Sequence, residues 1–171
     1  AIWLALAAWM PRAFAEHSLL FVCNSGHEYE NLGASHIVET IGPPPSESDF
    51  WLHLGANVAT RDYQDMPGRL LPLPSADPFR FLMTSAEFVE RARAIFTGQP
   101  GLEMAYSSNE GTAGELSEIV KAGYARHAGI FGAHRHHHAP TDDLSVVAAE
   151  PLAATARAVR DLLAVLVPAQ R

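Results

Sequence analysis

Apolar runs short enough to be strands alternate along this chain with amphipathic segments long enough to be helices, and that alternation restricts the fold more than any other feature. The runs fall at Leu19 to Asn24, Phe50 to Ala56, Leu102 to Ser107 and Gly129 to Ala133. Apolar residues recur at helical spacing over Asn31 to Ile41, Ser85 to Phe96, Thr112 to Ala122 and Leu144 to Val167. Strands that alternate with helices bury their apolar faces beneath them. The pattern therefore predicts an α/β fold, a three-layer sandwich whose mostly parallel or mixed sheet is flanked by helices. Thr84-Ser85-Ala86-Glu87 and Thr141-Asp142-Asp143 offer an N-cap and an acidic first turn to the second and last helices. Pro43-Pro44-Pro45 and Leu71-Pro72-Leu73-Pro74 read as surface turns or extended segments.

The N-terminus has two readings. AIWLALAAWM resembles a signal-peptide core followed by a small-x-small site at Ala13-Phe14-Ala15, but it lacks a basic leader. As a core helix, Ile2, Leu4, Leu6 and Trp9 pack on the strand that follows, and the helix is the expected form. Ten apolar residues are too few to span a bilayer, so no transmembrane segment is expected there. Residues 1–171 read as one domain that starts partway through, incomplete at its N-terminus. The net charge of −7, with no Lys/Arg block to neutralise a row of phosphates, argues against a nucleic-acid partner. The single cysteine, Cys23, lies in an apolar run and reads as a buried strand thiol.

Chemistry concentrates at the ends of the predicted strands. His27 and Glu28 follow the first, His53 lies within the second, and His134, His136, His137 and His138 follow the last. In open α/β sheets that edge is where sites are built, and imidazole and carboxylate donors from several strand ends suit zinc. Taken singly, each feature has an ordinary explanation: a hydrogen-bonded core histidine for His53, solvated loop residues for the cluster, and a His-Glu pair without the second histidine of the helical metalloprotease motif.

Two longer stretches carry a resemblance. LLFVCNSGHEYENLGASHIVE resembles the segment of the zinc aminopeptidase family, relatives of leucyl aminopeptidases and glutaminyl cyclases, in which a strand ends in two acidic residues before a Leu-Gly-small helix. GELSEIVKAGYARHAGIFGAHRHHHAPTDDLSVVAAEPLAATARAVRDLL is similar to that family's C-terminal end, where His138-Ala139-Pro140-Thr141-Asp142 matches its His-x-Pro-x-Asp loop. The resemblance implies zinc-dependent hydrolysis of a small peptide or amide substrate. It makes Glu28 and His138 metal ligands, puts His27 in the general base's position, where the family has glutamate, and puts His53 near the place of an aspartate ligand. The family's first histidine ligand and its bridging aspartate have no counterpart in Ala1 to Ser18. The ligand count then allows at most one zinc where the family holds two, bound weakly, with little or no peptidase activity. Two other outcomes fit the same residues: a single-zinc, glutaminyl-cyclase-like acyltransferase, and a non-catalytic domain that keeps the fold. Trp51, Phe79 and Phe81 are candidates for a substrate side-chain pocket, with ordinary core packing as the alternative.

Overall fold

A computed structural model describes residues 1–167. Its main sheet is mixed and runs in the order β1 (Trp51–Leu54), β6 (His127–Gly132), β4 (Arg80–Thr84), β5 (Tyr106–Ser107). β1 lies parallel to β6, β4 antiparallel to β6, and β5 parallel to β4. A separate antiparallel hairpin joins β2 (Arg61–Met66) to β3 (Arg69–Ala76) through Pro67-Gly68, with Gly68 at φ 74°. The helices are α1 (Ile2–Ala13), α2 (Leu32–Thr40), α3 (Val89–Ile95), α4 (Leu116–Lys121) and α5 (Ala149–Leu166).

Period-two alternation divides the sheet's side chains between two cores. Leu52 and Leu54 of β1, Leu82 of β4, and Ala128 and Ile130 of β6 face α1, α3 and α5. Trp51, Met83 and Phe131 face the opposite side, with Leu116 and Ile119 of α4 and Val38 of α2. The last helix is amphipathic: Thr155, Ala158, Val159, Leu162, Leu163 and Leu166 are buried along one stripe, where each fully buried aliphatic side chain contributes roughly 1.5–3 kcal/mol. Arg80 lies in that core almost without solvent contact. Its guanidinium donates to Val58 O, Pro100 O and Thr155 Oγ1, and burial lowers its pKa to about 10.

Several expectations change. Leu19 to Asn24 forms no strand among the described residues: β1, an edge strand of the sheet, pairs with β6 alone, and Leu19 to Val22 face the cavity beside it. Phe21 packs edge-on against Trp3 of α1, their ring centroids 5.7 Å apart. Cys23, without a ladder to bury it, is exposed. Leu102 to Ser107 splits into a 3₁₀ turn, Leu102–Met104, and the two-residue β5. The prolines of Leu71 to Pro74 lie in β3, whose one partner is β2 and whose other edge needs no proline donor. Asp143 caps a 3₁₀ turn, Leu144–Val146, while α5 starts later, without a side-chain cap. Ser85 likewise makes no cap bond, its hydroxyl turning to His127 O. No described helix is long and apolar enough to cross a membrane.

Candidate metal centre

The ends of β1, β4 and β6 are tied together by one side chain. Asn57, held at φ 55°, donates from Nδ2 to Ala133 O at 2.7 Å and to Phe79 O at 3.1 Å. The loop after β6 thus starts from a fixed point beside β1. Within the ladder His53 is opposite Gly129, where a Cβ would lie 2.6 Å from Leu116 Cδ2 and 3.2 Å from His53 Cβ. The glycine leaves room for α4 and the imidazole on the same face.

On that face His53 meets Glu115, just before α4. Its Nε2 lies 3.6 Å from Glu115 Oε2, and His27 Nδ1 lies 3.2 Å from Oε1 of the same carboxylate. His27 is held there by a tight turn in which Gly26 has φ 83° and Asn31 Nδ2 donates to Gly114 O. Burial pushes the His53 pKa down, against the opposing pull of Glu115 and with a smaller downward contribution from His27. His53 Nε2 is buried without a hydrogen-bond partner, which in an interior costs free energy unless something else satisfies it.

Glu28, next to His27, makes a second contact: its Oε1 lies 3.2 Å from His138 Nε2. His138 has φ 60°, the left-handed region that non-glycine residues seldom occupy. Its ring stands 4.1 Å, centroid to centroid, from that of His137. His134 Nε2 in turn lies 3.6 Å from Asp142 Oδ2, and His134, His137 and Asp142 each place a ligand atom within 4.8 Å of the other two, close enough to hold a metal ion. His134 is no solvated loop residue, since only 7% of its side chain is exposed. Burial lowers its pKa, with Asp142 opposing.

The hairpin buttresses this loop. Arg135 donates through two nitrogens to Asp65 at 2.8 and 2.9 Å, Tyr63 packs edge-on against His136, and His136 Nδ1 lies 2.9 Å from Thr141 Oγ1.

The sequence-selected residues thus fall into two adjoining groups, Glu28 with His138 and His27 with His53, the second joined by Glu115. Glu115 carries no signal of its own in the sequence, where an acid at a helix start reads as a favourable first-turn charge. A cavity of about 610 Å³ beside β1 is lined by Phe21, Ile37, Trp51 and Ile119, and by His53 and Glu115. Of the proposed pocket residues, Trp51 alone lines it. Phe79 and Phe81 lie elsewhere, in an exposed aromatic row in which Phe81 stacks on Phe131 at 5.7 Å. No family model, curated protein or solved structure matches the chain.

Proposed function

We propose that this protein is a zinc-dependent hydrolase of peptide or amide bonds, aminopeptidase-like in its chemistry and of the zinc-exopeptidase fold. The observation that carries the reading is the contact between Glu28 and His138, which brings together two residues from distant parts of the chain. Their ligand atoms stand 3.2 Å apart, close to the separation that two tetrahedral zinc bonds of about 2.0–2.2 Å impose. Glu28 and His138 would hold the ion, while His53, the third ligand expected from the sequence, places no ring nitrogen within 4.8 Å of both and stands instead against Glu115. When bound, zinc polarises the scissile carbonyl and acidifies water.

The chain's own residues supply the rest. His27 accepts the proton of the attacking water, and Glu115, bonded to its Nδ1, fixes the ring orientation and stabilises the imidazolium that forms. The same carboxylate also faces His53 Nε2 at 3.6 Å, so one side chain lies between the two imidazoles. The cavity beside β1 gives an apolar substrate side chain a place to be buried.

The test is release of aminomethylcoumarin from a panel of aminoacyl amides by tag-free protein loaded with zinc. Turnover that favours apolar aminoacyl groups and is lost on chelation supports the reading. Zinc-loaded, folded protein with no turnover on any member of the panel would refute it, leaving a non-catalytic domain.

A further inference from the structure

The loop after β6 holds a second set of donors that the proposed hydrolytic centre does not use. His134, His137 and Asp142 place their ligand atoms within 4.8 Å of one another. Tetrahedral zinc bonds of about 2.0–2.2 Å set ligand atoms roughly 3.3–3.6 Å apart, so closing on an ion requires at most about 1.5 Å of adjustment. His137 and Asp142 are exposed and can supply it by small rotations about their side-chain bonds. His134 is the fixed member, its side chain almost fully buried and its Nε2 already turned toward Asp142.

The surroundings favour a cation. Asp142 Oδ2 lies 3.6 Å from His134 Nε2, while the neighbouring positive charge of Arg135 is engaged by Asp65. One contact must loosen: the His136 amide donates to His134 Nδ1 at 3.3 Å, and Nδ1 has to carry the proton if Nε2 is to take a metal. That bond is long enough to be the weakest in the loop.

We propose that His134, His137 and Asp142 form a divalent-cation site, selective for zinc over magnesium or calcium because two of its donors are imidazoles, and that the ion acts as a clasp on the loop that presents His138. The sequence order supports the clasp. His138 lies between His137 and Asp142 with φ 60°, and such a conformation persists where its surroundings over-determine it. An ion held on both sides of His138 provides that constraint. Three protein donors leave a position for water, and the site stands whether or not the Glu28–His138 centre is hydrolytic.

The experiment separates the two sites by stoichiometry. Tag-free protein, stripped by chelator, is titrated calorimetrically with zinc, and metal content is measured after dialysis. The double variant Glu28→Gln/His138→Ala is expected to retain one equivalent. Adding Asp142→Asn to it is expected to weaken that equivalent more than tenfold, on the scale set by loss of groups that support a metal. His136→Ala, outside the triad, is expected to change it little. Because His134 is buried, His134→Ala is read only alongside circular dichroism, whereas exposed Asp142 keeps the test independent of folding. Cobalt in place of zinc adds a readout free of activity: a tetrahedral visible spectrum present in the double variant and absent after Asp142→Asn. No binding in the double variant, or binding that His136→Ala weakens as much as Asp142→Asn does, overturns the proposal and marks the histidine run as an adventitious chelator.

Discussion

Glu28 Oε1 lies 3.2 Å from His138 Nε2, although both side chains are well exposed, 66% and 60% respectively. An exposed pair of this kind contributes at most about 1 kcal/mol to folding. Glu28→Gln is therefore expected to leave the urea midpoint nearly unchanged while weakening zinc binding more than tenfold, as loss of a ligand should by comparison with loss of a supporting group. Urea titration and zinc calorimetry on the same preparation check this. Equal zinc affinity in the variant would remove Glu28 from the centre.

Glu115 touches both His27 and His53. Glu115→Gln keeps the shape and removes the charge that steadies the His27 imidazolium. A fall in kcat of about 10–100-fold is expected, with zinc content maintained. Steady-state kinetics with metal analysis decides between this and a role for Glu115 in folding alone, which would lower thermal stability and leave kcat per folded molecule intact.

Two glycines of β6 distinguish soft from hard packing. At Gly129 a Cβ would meet Leu116 Cδ2 at 2.6 Å, the end of a flexible side chain. At Gly132 it would meet Phe79 O at 2.4 Å and Arg80 Cα at 2.8 Å, both backbone. Gly129→Ala is expected to cost about 1–2 kcal/mol and Gly132→Ala about 3 kcal/mol or more. Chemical denaturation gives the order, and the reverse order would mean that α4, not the strand pairing, is the rigid partner.

Burial lowers the pKa values of His53, His127 and His134 below the usual histidine value. The unfolded chain then takes up protons that the fold resists. Stability is complete above pH about 6.5 and falls as pH drops from there through the lowered folded values. Metal-free protein is expected to show a lower urea midpoint at pH 5 than at pH 7.5. His127→Gln should reduce the difference, since it removes the core histidine whose Nδ1 lies 2.8 Å from Tyr124 O.

Much of this arrangement was legible in the sequence because it rests on period and sharp local signals. The α5 stripe from Thr155 to Leu166 and the strands containing His53 and Ile130 follow from apolar spacing. The His138-x-Pro-x-Asp loop stood out after a strand, and Glu28 stood out after a run that reads as a strand and is not one. What escaped depends on partners distant in the chain. Nothing local says that Leu19 to Asn24 lacks a strand to pair with, or that Pro72 and Pro74 sit on an edge. Nor does it say that Arg80 is solvated from within by Val58, Pro100 and Thr155. Glu115 and Asp142 belong to the same class, since a carboxylate beside a helix or turn is ordinary until the fold sets an imidazole against it.

The most direct test of the hydrolytic centre is the position of the ion. Zinc-soaked crystals, measured at the zinc absorption edge, are expected to show an anomalous peak within about 2.0–2.2 Å of a Glu28 carboxylate oxygen and His138 Nε2. A peak confined to the His134, His137 and Asp142 triad, with none between Glu28 and His138, would contradict it.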